Sequence, residues 1–209
     1  TGAVGANGLR EADLNLVVSG LVQDGLLELG YEVVLTRYAD HRMPIERRAA
    51  VANDLDATIT VSIHHNGSGE LPRSELPGSE VFVQVGEPES ARLGGLLWEE
   101  GRAALAAFDV PWVAGPGVGT SERPAEDGTN FYGMLRRPTM PTALTELAYL
   151  SNDAEARALA LPEVQQAEAD ALVRAIDRWF TTNDPGSGFI APRTTVSAGG
   201  GGGFDDCED

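Results

Sequence analysis

The sequence predicts an α/β sandwich of three layers, in which helices cover both faces of a largely parallel, twisted sheet. Short apolar segments typical of strands alternate along the chain with longer segments of helical periodicity. Glycine and proline residues mark many of the boundaries between these segments. An apolar fraction of 42% over 209 residues is enough to bury the core of one domain.

The first half of the chain contains two predicted helices and two predicted strands. A stripe of leucine and valine marks the first helix, which stops at a glycine, and proline opens the second. In chain order these elements are a helix from Glu11 to Gly30, a strand at 31–37, a short helix from Pro44 to Asn53 and a strand at 57–63.

The second half continues the alternation of strands and helices. Its predicted elements are a strand at 80–85, a helix at 93–108, a loop at 109–130, strands at 131–137 and 141–150, a short helix capped by Asn152, and a last helix from Pro162 to Phe180. After Asn183 the composition changes to glycine, serine, proline and aspartate. We therefore predict one domain at 1–183 and a flexible acidic tail at 184–209, which contains Cys207.

The charge balance excludes several classes of partner. The chain has 32 acidic residues against 15 basic ones, and its net charge is −17. A chain this acidic is a poor partner for nucleic acids, which need clustered cations, and for anionic membrane surfaces. Apolar runs stay well short of the 18 residues that a membrane span needs. A single cysteine also excludes a disulfide framework and a cysteine-based metal site.

Two of the three histidines stand side by side at the end of a predicted strand. His64 and His65 follow the apolar run at 57–63 and precede a glycine-rich loop. Adjacent residues of a strand point to opposite faces, so one histidine at most faces any given site. Both could be polar loop residues, but imidazole and carboxylate are also the ordinary ligands of zinc.

Two carboxylates are candidates for such a site. Glu146 lies within TALTELAYL, which is apolar on both sides of it, and a buried glutamate must be paired or functional. A salt bridge to Arg37 or Arg48 is the alternative explanation. Glu11 opens the first helix, where its charge also suits the helix dipole, so its position has a purely structural explanation as well.

Five stretches of the sequence resemble, in the same order, the blocks of one enzyme family. They are NGLREADLNL, YEVVLTRYAD with the following IERRAAVAN, VSIHHN, GSEVFV and MPTALTELAYLSN. On these stretches the chain resembles the zinc-dependent N-acetylmuramoyl-L-alanine amidases of type 3, over residues 2–180. Five blocks in the right order are specific, although none is decisive alone.

The resemblance implies one zinc ion and assigns roles to three residues. Glu11 and His64 correspond to zinc ligands, and Glu146 corresponds to the catalytic glutamate. His65 stands where the family more often has a small residue. We therefore expect it to be a loop residue or a residue that contacts one of the zinc ligands. The family's remaining ligand is a histidine at the end of the first strand. We expect that histidine and that strand to lie upstream of Thr1, and we do not expect His41 to replace the histidine.

The resemblance also implies a function, namely hydrolysis of the amide between N-acetylmuramic acid and L-alanine in peptidoglycan. A monomeric, extracytoplasmic enzyme is expected, with peptidoglycan as its partner, no nucleic acid and no membrane span. Two alternatives remain open, a zinc peptidase that cuts stem peptides and a wall-binding relative without activity. Trp112, in the predicted loop, could stack on a sugar or anchor the core.

Overall fold

The computed structural model describes residues 2–67, 79–112 and 118–193. Its elements are α1 (Glu11–Glu28), α2 (Ile45–Asp54), β1 (Thr60–Asn66), β2 (Glu80–Val83), α3 (Pro88–Leu105), β3 (Gly119–Glu122), α4 (Gly133–Arg136), β4 (Thr142–Tyr149), α5 (Asp153–Leu159) and α6 (Pro162–Thr181). The predicted helices at both ends of the chain are confirmed, and Asn152 caps α5 by accepting hydrogen bonds from the amides of Ala154 and Glu155.

The four strands form one sheet in the order β1-β4-β2-β3. β1 pairs with β4 and β2 with β3 in parallel, whereas β2 and β4 are antiparallel. Helices α1, α3 and α6 pack together over one face, and α4 lies against the other with α2 beside it. The predicted α/β class with a helix-flanked sheet is therefore confirmed, with two of the three strand pairs parallel. None of the described helices is long and apolar enough to cross a bilayer.

Residues 31–37 do not form the predicted strand. Their exposure partly alternates, as a strand's would, with Val34 largely exposed and Val33 half-buried against the core. A strand also needs a neighbour that exchanges backbone hydrogen bonds with it. Within the described residues this segment is instead held by side chains, including Gln23, which donates to the Val33 carbonyl at 3.1 Å. The apolar pattern of residues 31–37 therefore predicted a strand that this segment does not form.

Two further sequence predictions need correction on the other side of the sheet. Residues 131–137 contain the short helix α4 and no strand, and the helix buries Met134 and Leu135 together. The predicted loop at 109–130 contains β3, although residues 113–117 lie outside the described residues. β3 was missed because its buried residues are polar; Thr120, for example, donates its hydroxyl to the Gly94 carbonyl.

The segment after α6 lies along the outer edge of β3. The amide of Thr120 donates to the Gly188 carbonyl at 2.8 Å, and the amide of Ile190 donates back to the Thr120 carbonyl at 2.9 Å. Gly188 has φ +79° and packs directly on the ring of Trp98. Residues 184–193, which the sequence assigns to the tail, are thus in contact with the domain. Residues 194–209 lie outside the described residues, so their flexibility stays a prediction.

Candidate active site

Three predicted site residues meet at one end of the sheet. His64 is near the carboxyl end of β1, and its register partner on the parallel strand β4 is Glu146. Glu11, the first residue of α1, reaches the same end, where its Oε1 lies 2.8 Å from Nδ1 of His64. The structure thus brings Glu11 and His64 together at a direct hydrogen-bonding distance.

The start of α1 is built so that the carboxylate of Glu11 points at His64. The chain before the helix folds back, and the amide of Ala3 donates to Oε2 of Glu11 at 2.8 Å. Asn15, one helical turn later, donates its Nδ2 to Oε1 at 3.2 Å. Gly2 has φ +66° and packs directly on the carboxylate, where a side chain would collide with it. Glu11 is only 8% exposed as a result.

The neighbours of Glu11 and His64 favour the charged form of each group. Burial alone raises the pKa of Glu11, but the hydrogen bond and positive charge of His64, with the donors Ala3 and Asn15, lower it to about 2. Burial lowers the pKa of His64, yet the hydrogen bond that its Nδ1 donates to Glu11 and the negative charges of Glu146 and Glu11 raise it overall. Nε2 of His64 lies 3.1 Å from the hydroxyl of Ser62.

The surroundings of Glu146, in contrast, favour its neutral form. Its Oε2 is buried and has no hydrogen-bond partner among the described residues. Burial raises the pKa of Glu146 to about 8, against the attraction of His64 and together with the repulsion of Glu11. The alternative partners predicted for it bind elsewhere, because Arg37 donates to the carbonyls of Ala12 and Ala39, and Arg48 to that of Met43.

Sequence reasoning missed a second carboxylate beside Glu146. Glu80 begins β2, is 4% exposed, and is the register partner of Glu146 across the antiparallel pair. It accepts a hydrogen bond from Nδ2 of Asn66 at 3.1 Å and forms an ion pair with Arg193. The available signal was a glutamate at the head of the apolar run EVFV. The partner Arg193 could not be found, because it belongs to the segment assigned to the tail.

The remaining candidates do not face this end of the sheet. His65 is 1% exposed and faces the interior on the opposite side of β1, where it contacts Asn15 and Glu168. His41 is exposed in the segment before α2. Trp112 is 1% exposed within the main core, so it is a core anchor and not a sugar contact.

The donor set at this end of the sheet fits part of a zinc site. An imidazole and a carboxylate converge, with the unpartnered Oε2 of Glu146 on the neighbouring strand. Within residues 2–67, 79–112 and 118–193, no three histidine, cysteine, aspartate or glutamate side chains form a complete metal-binding group. Glu11 and His64 are side chains that could hold a metal here, and a third ligand stays a prediction.

Comparison with known proteins decides the family. The profile of the N-acetylmuramoyl-L-alanine amidases matches residues 1–178. The chain belongs to this family. It is therefore an amidase, an enzyme that hydrolyses the amide between N-acetylmuramic acid and L-alanine in peptidoglycan. The roles of Glu11, His64 and Glu146 within this amidase remain predictions.

Relatives of the amidase cover most of its length. It is 35% identical to the uncharacterised protein YqiI of Bacillus subtilis, over 86% of this chain and 79% of YqiI. It is 28% identical to the germination-specific N-acetylmuramoyl-L-alanine amidase of the same organism, over 86% and 74% of the two chains. Among solved structures, AmiC2 of Nostoc punctiforme superposes with a TM-score of 0.71 at 26% identity, covering 86% of this chain and 89% of AmiC2. The catalytic domain of CwlV from Bacillus (Paenibacillus) polymyxa also gives 0.71 at 26% identity, covering 87% and 92%.

Proposed function

We propose that this amidase works with a zinc ion held by Glu11 and His64, and that Glu146 is its general base. The observation that carries the proposal is the 2.8 Å contact between Glu11 and His64, directly beside a carboxyl group on β4 that has no partner for one oxygen. A buried carboxylate and an imidazole are ordinary zinc ligands, and a bound ion would take the place of this hydrogen bond and move the two atoms to roughly 3–4 Å apart, as two bonds of about 2 Å each require.

Amide hydrolysis needs a polarised carbonyl and an activated water at neutral pH. Zinc, when bound, supplies both through its Lewis acidity. The role of Glu11 and His64 is to hold the ion at the carboxyl end of the sheet, with Oε2 of Glu11 fixed by the amide of Ala3. The charged carboxylate of Glu11 also offsets part of the ion's charge.

Glu146 is suited to move the proton. In the reaction a proton leaves the attacking water, and a proton must reach the nitrogen of the departing L-alanine. Glu146 would take the first on its carboxylate and return it to the amine. Burial raises its pKa to about 8, which makes its carboxylate a stronger base than an exposed glutamate. A bound cation beside Glu146 would lower that pKa towards neutrality.

The substrate also sets where the enzyme acts. Peptidoglycan lies outside the cytoplasmic membrane, so we expect the protein in the periplasm, the cell wall or the medium. A monomer is sufficient for this chemistry, because all three site residues come from one chain.

A chelation experiment tests the proposal. The protein is incubated with purified peptidoglycan after dialysis against a chelator, and again after zinc is restored, and newly exposed amino groups are identified. We expect new N-terminal L-alanine that appears only with zinc. New peptide termini without free L-alanine would indicate the zinc peptidase alternative. No new termini under either condition would indicate a wall-binding protein. Exposure of L-alanine that continues after chelation would show that the reaction does not need zinc.

A further inference from the structure

Behind β1, a chain of polar side chains leads from the protein interior to Glu11. Both carboxylate oxygens of Glu168, on α6, lie 3.0 Å from Nε2 of His65. Nδ1 of His65 lies 2.7 Å from Oδ1 of Asn15, and Nδ2 of Asn15 lies 3.2 Å from Oε1 of Glu11. The chain therefore connects a fully buried carboxylate to the one that faces His64.

The direction of two of these hydrogen bonds follows from the chemistry of the groups. An ionised carboxylate only accepts, so Asn15 must present its N–H group to Glu11. The amide oxygen of Asn15 then faces His65 and accepts a proton from Nδ1. Nε2 of His65 and the carboxyl group of Glu168 form the remaining hydrogen bond, at 3.0 Å.

Packing alone does not account for this arrangement. The side chains of His65 and Glu168 are both 0% exposed, and the buried neighbours of Glu168 on α6 include Ala169, Ala171 and Leu172. Burying two polar, ionisable side chains away from water is costly, and apolar side chains of similar volume hold such sites equally well. A polar pair at this place is better explained by what it is connected to.

The connection is possible because α1 starts beside the end of β1. His64 and His65 point to opposite faces of the strand, one to the site and one to the interior. Asn15 lies one turn after Glu11 on α1, so its side chain can contact both His65 and Glu11. The carboxylate of Glu11 is thereby held at both oxygens, by Asn15 at Oε1 and by Ala3 at Oε2.

We propose that Glu168, His65 and Asn15 are positioning residues that orient the carboxylate of Glu11 for metal binding. This inference rests on the proposed zinc site. A side chain that is already oriented loses less rotational freedom when it binds an ion, and partners of metal ligands typically change metal affinity roughly 10–100-fold. His65 then explains the second histidine of the pair, which acts behind the strand that presents His64.

Zinc affinity of the full chain, measured by competition with a chromophoric chelator, tests the inference without relying on activity. Asn15→Leu keeps the side-chain volume and the His65–Glu168 pair but removes the link to Glu11. We expect its zinc dissociation constant to rise roughly 10–100-fold. Glu168→Leu should weaken zinc similarly, because His65 loses its anchor. Glu168→Gln can still form a hydrogen bond with His65, and its affinity should stay close to that of the parent.

Tyr31→Phe is the control for a general loss of stability. It removes a 2.7 Å hydrogen bond from the Tyr31 hydroxyl to Asp177, which is also on α6 but outside the polar chain. This variant should melt earlier and bind zinc like the parent. If Asn15→Leu also binds zinc like the parent, the positioning role is wrong while the zinc site stands. If the parent itself binds no zinc, the proposed function fails and the inference fails with it.

Proton NMR of the parent tests the inference even if a variant does not fold. In the metal-free parent, the Nδ1–H proton of His65 should give a slowly exchanging low-field resonance, because it is buried and hydrogen-bonded to Asn15. Asn15→Leu should remove this resonance. Its absence from the folded parent would overturn the inference.

Discussion

Nδ1 of His64 lies 2.8 Å from Oε1 of Glu11, although the two residues are 53 positions apart in the sequence. One comes from the end of a strand and the other from the start of a helix, so only the folded domain brings them together. The loop before α1 and Asn15 hold the carboxylate in place.

Replacement of either proposed ligand should abolish zinc binding. Glu11→Gln and His64→Ala each remove one of the two described donors, and an ion that loses a ligand also loses its fixed geometry. His41→Ala is the matched control, because His41 is exposed before α2 and should not contribute. Zinc content after dialysis is measured by atomic absorption. Loss of zinc from the His41 variant together with retention in the His64 variant would reverse the assignment.

Glu146 should destabilise the metal-free protein as pH rises. The folded state raises its pKa from the ordinary 4.5 to about 8, so the folded protein holds a proton that the unfolded chain has already lost. The stability that this group contributes is complete below about pH 4.5 and is lost as pH rises towards 8. Glu146→Gln removes the effect. The melting temperature of the variant relative to the parent should therefore increase between pH 5 and pH 8.5.

The pH dependence of the stability that Glu11 contributes should have the opposite sign to that of Glu146, so Glu11 serves as the internal comparison. Its pKa is lowered from 4.5 to about 2, so its contribution is complete above about pH 4.5 and is lost as pH falls towards 2. Glu11→Gln should be less stable than the parent at pH 7, with a difference that narrows in acid. Parallel pH dependences for the Glu11 and Glu146 variants would contradict the electrostatic account of the site.

Truncation at two positions should distinguish the contribution of residues 184–193, which contact the domain, from that of the rest of the tail. Ending the chain after Asn183 removes three backbone hydrogen bonds to β3, from the pairs Thr120–Gly188, Ile190–Thr120 and Arg193–Glu122. At about 1 kcal/mol each, they predict a fall in melting temperature of roughly 6–12 °C. Ending it after Arg193 should leave the melting temperature unchanged. Equal melting of both truncated chains would show that the segment contributes nothing.

Trp112 should affect stability and leave substrate affinity unchanged. It is 1% exposed in the core, and Trp112→Ala should reduce the free energy of unfolding by about 3–5 kcal/mol. Trp112→Phe should retain much of the packing, and KM for peptidoglycan fragments should not change. A raised KM with unchanged melting would instead support the sugar-stacking role.

The sequence identified the site better than it identified the edge of the sheet. Glu146 was recognisable because a charged residue interrupts an apolar strand, and a family resemblance linked it to Glu11 and His64. The sequence did not predict β3, because its buried residue Thr120 is polar and donates its hydroxyl to the Gly94 carbonyl of α3. This contact forms only where α3 packs against β3 in the folded domain, so no local sequence pattern predicts it.

The contacts of residues 184–193 were hidden by their composition. Glycine and serine predict flexibility, yet Gly186 and Gly188 are needed because the segment runs tightly against the backbone of α3 and the ring of Trp98. The partner of His65 was equally hidden, since Glu168 lies 103 residues further on and looks like an ordinary helical glutamate. Long-range pairs of this kind require the fold.

The central claim is that Glu146 moves the proton during amide hydrolysis, and its most direct test is the rate of L-alanine exposure by Glu146→Gln. Glutamine keeps the shape of the side chain but cannot accept the proton from water. With zinc content verified as equal to that of the parent, kcat should fall by about 10²–10⁴-fold while KM changes little. A variant that retains zinc and exposes L-alanine at the parental rate would contradict the account.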